Sequence, residues 1–276
     1  MNPYDPTRKH TAVVFFDASY SNPNGDPDTE GAPRIDPATR EGLVSDGSTK
    51  RKLRDVVLHK KEGEPPFDVF VHPERALTSS VEKAVENAGS VSTQVITEEC
   101  IERFWDVRLF GAAMSTVKVE GVQGAHILGP IQVGMGRSVD PIEIMEQSIT
   151  RVTPTNEGGD RAMGRKHVVP YGLYHQTINY NPNAKTADAV TEEDLRLFWN
   201  GFEQAWELTR SSARPEMAFR GAYVFTHESA LGNAPSHELL ARVTAETEAD
   251  NPRSFDDYNV SARSDDLPDG IELTRL

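Results

Sequence analysis

Apolar residues at alternating and helical spacings divide the chain into a few strands and helices joined by polar, turn-rich segments. Residues 11–16 (TAVVFF) are apolar on both alternating faces, which predicts a central strand buried on both sides and ending at Asp17. Residues 19–37 are crowded with Asn, Pro, Gly and Asp and predict a loop. A helix capped by Ser45 or Ser48 follows, with Leu53, Val56 and Val57 as its core stripe and Lys50, Arg54 and Lys61 aligned beside it. Pro65 and Pro66 break the chain before two short helical patterns. One carries Val81, Ala84, Val85 and Ala88 ahead of Gly89; the other carries Ile101, Phe104 and Trp105 behind a Thr97 cap.

Further along, residues 127–128 and 131–133 are short strand candidates. Asp140, Pro141 and Glu143 resemble a helix start, with Ile142, Met145 and Ile149 on one face. A polar turn over residues 153–164 separates ITRV from KHVVPYGLY and predicts a protruding hairpin. The clearest helix spans 191–209, with acids at its start and Leu195, Phe198, Trp199, Phe202, Ala205 and Trp206 at helical spacing, a core face. Residues 219–226 alternate as a strand, and the tail from Asp250 is acidic and loop-like with room for short strands. This order allows one α+β domain over residues 1–276, a ferredoxin-like core carrying insertions.

Charge complicates any binding role. The formal net charge is -14, the wrong sign for a generic nucleic-acid binder. Its distribution is uneven: residues 226–276 hold eleven acids and four arginines, whereas residues 50–61 hold six cations and one acid. Such polarity would confine a polyanion to one groove, since exposed charges act over a Debye length of about 8 Å at physiological salt. Adaptation to high salt is a second explanation of the acidity. The single cysteine, Cys100, permits no disulfide framework and suits a reducing compartment. No apolar run approaches the ~20 residues of a membrane span, and the N-terminus lacks a signal-peptide core, so the expected location is the cytoplasm and no membrane partner is expected.

Most short motifs fail on inspection. Asp26, Asp28, Glu30 and Gly31 match the first half of a calcium loop, but Pro33 intervenes and Pro37 stands where a bidentate Glu is required. His237 and Glu238 begin like a zinc-protease helix whose second histidine is Ala241. Gly134-Met135-Gly136 is a truncated dinucleotide fingerprint, and Arg137 after it suits a nucleic-acid backbone at least as well. The strand FRGAYVF faintly resembles an RNA-binding strand, yet Phe219, Tyr223 and Phe225 read better as core. Two features survive. Lys50, Arg51 and Lys52 occupy the first turns of a helix, where cations oppose the macrodipole by about 1 kcal/mol together, a conflict that a bound phosphate would remove. Arg165, Lys166 and His167, with Arg151 and Arg161 nearby, form a cationic cluster on the expected hairpin.

The runs NPNGDPD, PRID, GLVSD and KRKLRD, followed by DVRLFGAAM, GPIQVGMGRSVDPIE, SITRV and GRKHVVPYGLY, resemble in sequence and order the backbone subunit of the type I-C CRISPR interference complex (Cascade), in the Cas-seven superfamily. One departure is that Gly47 or Thr49 stands where the family usually has an apolar residue. The resemblance implies a modified RNA-recognition-motif palm with a finger-like helical insertion over about 65–105 and a thumb hairpin over about 150–168. It implies a non-enzymatic subunit, needing no cofactor, that oligomerises along a CRISPR guide RNA beside other Cascade subunits and presents the guide for pairing with a target DNA strand. Lys50, Arg51, Arg54, Arg137, Arg165 and Lys166 would hold guide phosphates, with Arg151 and His167 in the same cationic set and Met163 as the apolar wedge that displaces a base. Two alternatives stay open: a metal-dependent endoribonuclease using Asp17, Asp26, Asp28 or Asp36, and an acidic structural subunit that binds protein only.

Overall fold

The computed structural model describes residues 1–114, 117, 119–122, 124–150, 152–153 and 163–276. Its first half contains β1 (His10–Ser21), β2 (Gly25–Asp26), β3 (Ala32–Pro33), β4 (Glu41–Val44), α1 (Asp46–Lys61), α2 (Leu77–Ala88), α3 (Thr93–Arg103) and α4 (Trp105–Phe110). Next come β5 (Gly111–Ala113), β6 (His126–Leu128), β7 (Ile131–Val133), β8 (Gly136–Pro141), β9 (Met145–Thr150) and β10 (Met163–Tyr180). The last part holds α5 (Glu192–Leu208), β11 (Glu216–His227), α6 (Ser236–Leu240), β12 (Val243–Thr247), β13 (Tyr258–Ala262) and β14 (Ile271–Arg275). Among the described residues no helix is long and apolar enough to cross a membrane.

The main antiparallel sheet runs β14-β11-β1-β10-β8-β4, with β7 and β9 also paired to β10. β1 lies inside it, and its double-sided apolar run is buried on both faces as the pattern predicts. On one face, Val14, Phe16, Tyr174 and Ile178 meet α1 and α5. Phe16 stacks on Trp206 of α5 at 4.8 Å and on Tyr174 at 5.5 Å. α1 presents Leu53, Val56 and Val57 to this core, and Gly201 lets the two helices approach, since a Cβ there would stand 3.1 Å from Leu53 Cδ2. The opposite face carries Val13, Phe15, Tyr171, Leu173 and Tyr223, and is covered by Val243, Ala245, Tyr258 and Val260 of the β12–β13 pair with Leu240 of α6. The acidic tail is thus a structured cover, and β14 extends the sheet at its edge.

Capping explains where the two long helices begin. Ser45 Oγ accepts the Ser48 N–H at 3.3 Å and starts α1; Thr191 and Asp194 form a reciprocal capping box on α5. Asp194 also takes Arg108 Nη2 at 2.7 Å in a fully buried pair that ties α4 to α5. α2 and α3 build a second core from Phe70, Val81, Ala84, Ile96, Cys100, Phe104 and Val107, which takes in Met114, Val117 and Ile127 as well. Burial pushes the Cys100 thiol up to about 12.

Two local expectations are overturned. Thr97 is not a cap: Ser92 occupies that position, and Thr97 Oγ1 donates to the Thr93 carbonyl at 2.7 Å inside α3. Residues 140–149 are not helical but finish β8 and form β9. Met145 and Ile149 lie four apart, a spacing shared by the helical and alternating periods, and pairing with Val168 and Gly164 of β10 selects the strand.

Arg54, on α1, is buried and donates through Nε to Asp106 Oδ2 at 2.7 Å, while Asp106 also accepts the N–H groups of Phe70 and Val71 at 2.7 and 3.1 Å. Arg54→Ala leaves that carboxylate buried without its cation, and the expected loss of stability is about 3–5 kcal/mol, read from urea unfolding. His10 and His227 are fully buried beside each other, His10 between the Asp5 carbonyl (2.9 Å) and Thr226 Oγ1 (3.1 Å). Burial lowers both imidazoles from 6.5 to about 4; Asp5 pulls the other way at His10, while Lys9 adds to the effect at His227. Between these values the unfolded chain binds protons that the native state refuses, so stability is complete above pH 6.5 and falls as pH drops towards 4. The urea midpoint is expected to fall more steeply across that window in the wild type than in His10→Gln/His227→Gln.

Candidate nucleic-acid interface

The basic run on α1 is largely satisfied from within. Lys50 Nζ bonds Asp46 Oδ2 at 2.9 Å and sits 5.4 Å from the Phe110 ring centre; Arg51 pairs with Asp55 at 3.0 Å. Asp46 in the first turn supplies the acid that the macrodipole favours, so the anticipated conflict is relieved without a ligand. Arg54 faces inward to Asp106 and is not part of a surface, a correction to its expected role, and Lys61 pairs with Glu193. Lys52, one of the three helix-start cations expected beside a phosphate, is instead buried with its Nζ on Thr209 Oγ1 at 2.9 Å. Burial and then the charge of Arg214 lower it to about 8, Asp55 pulling the other way. Lys52 and Arg214 therefore form a like-charged pair, and neither has a carboxylate within ion-pair distance among the described residues.

Arg137 lies elsewhere. On β8 it registers with His175 of β10, which registers with Phe15 of β1, a row across the sheet face opposite α1. With Val139, Thr177, His237, Leu240 and Val243 nearby, these side chains line a cavity of about 370 Å³. Arg137 is 56% exposed, its nearest acid being Glu41 at 3.9 Å; burial and the Arg137 charge lower His175. The expected single trough is therefore not formed: α1 and Arg137 occupy opposite sides of the sheet.

The third group is a ribbon. β9 pairs with the start of β10 from Met145↔Val168 to Thr150↔Met163, and every residue of β9 is exposed. Arg165 is 63% exposed and 3.3 Å from Glu146; Lys166 and His167 are half-buried. Met163 is 77% exposed, with Met145, Ile149 and Val152 also open to solvent. Arg151 and Arg161 lie outside the described residues.

Of the four candidate carboxylates, those of Asp17, Asp26 and Asp36 are engaged locally. Asp17 is buried, accepting the Tyr171 hydroxyl at 2.9 Å and Arg220 Nε at 2.8 Å; burial and the Asp17 charge push the Tyr171 phenol up. Asp26 pairs with Arg34 at 3.3 Å and accepts the Asp28 N–H, and Asp36 accepts the Ala38 and Thr39 N–H groups. Among the described residues no three His, Cys, Asp or Glu side chains converge as a metal site would require. Tyr223 and Phe225 are buried, and Phe219 packs against Trp206, so the sheet aromatics are core as the sequence suggested. The residue that reasoning missed is Arg220. A glycine inside the strand at 221 was the available signal of a bulge, and Gly221 has φ +131°.

Three comparisons bear on this geometry. The family model described as CRISPR-associated protein Cas7 matches residues 8–263. A CRISPR-associated protein Cas7 from Haloferax volcanii is 30% identical over 248 residues, 79% of this chain and 71% of the relative. Similar solved structures include a chain of a CRISPR RNA-guided surveillance complex in a pre-nicking state (TM-score 0.48, 15% identity, 79% of this chain and 78% of the other). Another is a chain of the type III-B Cmr-beta complex bound to cognate target RNA (TM-score 0.43, 11% identity, 79% and 61%). With a family match spanning nearly the whole sequence and a relative at this identity, the chain belongs to the CRISPR-associated Cas7 family.

Proposed function

We propose that the chain is the guide-RNA-binding backbone subunit of a type I-C CRISPR effector, polymerising along the guide in the cytoplasm beside other subunits and presenting the guide for pairing with target DNA. The observation that carries this reading is the family match across residues 8–263. The chain order β1, α1, β8, β10, α5, β11 with sheet order β11-β1-β10-β8 supports a ferredoxin-like, RNA-recognition-motif-like palm. The exposed β9–β10 ribbon corresponds to the thumb, and the α2–α3 core to the finger.

Guide contact falls on two groups. Arg165, Lys166 and His167 on the ribbon, with Arg151, the residue after β9 in sequence, take backbone phosphates, and exposed Met163 is placed to wedge between bases. Lys50 and Arg51 contribute from α1, because an i,i+4 surface pair is worth only about 0.3–0.5 kcal/mol and yields readily to a phosphate. Arg137 contributes from the other side of the sheet, where a strand crossing its edge can reach it. The protein reads backbone and shape while base pairing supplies sequence choice, and no catalytic role is assigned to the protein.

Arg165→Ala/Lys166→Ala is expected to weaken guide binding about tenfold at moderate salt and to reduce the salt slope by about 1.4, the value for two phosphate contacts on a single strand. Unchanged affinity and slope would remove the ribbon from the interface. Guide RNA incubated with the protein and magnesium is expected to remain intact; cleavage abolished by EDTA and by Asp17→Asn would establish a ribonuclease instead.

A further inference from the structure

We propose that a cavity between the sheet and the segment leading into β13 is a phosphate-binding site built on Arg220 and Arg253. It encloses about 320 Å³ at the end of β1, and none of the ribbon or α1 cations assigned to guide RNA lines it. The site goes beyond the guide-RNA reading and does not depend on it.

Arg220 is placed there by a backbone irregularity. The β1–β11 register runs Phe15↔Gly221 and then Phe16↔Phe219, leaving Arg220 as the extra residue of a bulge, a device that re-aims a side chain at the cost of ladder pairing. Once turned, Arg220 is fixed on one edge and one face. Its Nε donates to buried Asp17 at 2.8 Å, Asp17 is held in turn by the Tyr171 hydroxyl, and the guanidinium lies 5.0 Å from the Phe255 ring centre. A guanidinium so held loses little freedom when its remaining N–H groups meet an oxyanion.

Arg253 faces the same cavity. Its backbone N–H is anchored to Asp257 Oδ2 at 2.7 Å, while its guanidinium has no hydrogen-bond or acidic partner among the described residues. Arg210 stands at the wall and pairs with Glu207 at i,i+3, 2.6 Å away. Against these three arginines the cavity lining offers two carboxylates, Asp17 on Arg220 and Glu216, so the lining carries one net positive charge within a chain of net charge -14. Planar forks from more than one arginine match the several oxygens of a phosphate, whether a free ion or the phosphate of a nucleotide.

The test uses full-length protein freed of nucleic acid. Inorganic phosphate, uridine 5′-monophosphate and phosphate-free uridine are titrated by calorimetry against wild type, Arg253→Glu and Arg263→Glu, the last an exposed arginine outside the cavity that controls for net charge. Phosphate or the nucleotide is expected to bind at least tenfold better than uridine, with the loss confined to Arg253→Glu. Preference for the free ion or for the nucleotide identifies the source of the phosphate, and either supports the site. Equal binding by Arg253→Glu and wild type, equal loss in Arg263→Glu, or uridine binding as well as its monophosphate would overturn it.

Discussion

The architecture depends on the double burial of β1. A strand with Val13 and Phe15 on one face and Val14 and Phe16 on the other must have an apolar layer on each side. α1 and α5 supply one layer; the other comes from the end of the chain, where α6 and the β12–β13 pair close over Phe15, Leu173 and Tyr223. At about 25 cal/mol per Å² of apolar surface, leaving that second face open would expose several large side chains. The acidic tail is thus amphipathic in effect, turning apolar residues inward and carboxylates outward.

This closure bears on how a nucleic acid could be held. In an open sheet, aromatics of the two central strands offer stacking platforms for bases. Here Phe15, Tyr171 and Tyr223 lie under the tail, so any strand must be engaged at the edges and projections of the fold. The positive charge is arranged in keeping with that. Arg54 and Arg108 are spent on buried carboxylates that join α1 and α5 to α4, whereas Arg137 and Arg165 stay more than half exposed at the margins. Cationic side chains in this chain thus divide into those that hold the helices together and those at the rim.

That division explains what could be read from the sequence. β1, the core face of α5 and the stripe of α1 follow from local periodicity and capping, and the structure contains each of them; β9 and β10 pair beside the expected hairpin turn, most of which lies outside the described residues. Residues 140–149 did not, because Met145 and Ile149 satisfy two periods at once and only β10, a distant partner, decides between them. The short strands expected in the tail are β13 and β14, but its role as a cover was not legible, since its apolar residues are thinly spaced and matter only against the sheet. The single trough failed for a related reason: helical spacing places Lys50 and Arg54 on one edge, but it cannot reveal that Asp106 waits beneath Arg54 or that Arg137 emerges on the far side. Linear charge density identifies a basic helix; only three-dimensional pairing shows how much of that charge is free.

The ribbon illustrates how the closed core still governs an exposed part. A two-stranded ribbon by itself is marginal in water, and β9 has no buried residue to hold it. β10, however, is one continuous strand of 18 residues, about 60 Å at ordinary strand rise. From Val169 to Tyr180 it is paired with β1, and only its first six residues pair with β9 alone. The conformational cost of extending the ribbon is therefore partly met by the sheet, which fixes the direction of β10 before β9 adds to it. Arg165, Lys166 and Met163 are carried on a lever rooted beside the doubly buried β1, so a change in packing under the tail would shift their position as surely as a change in the ribbon itself.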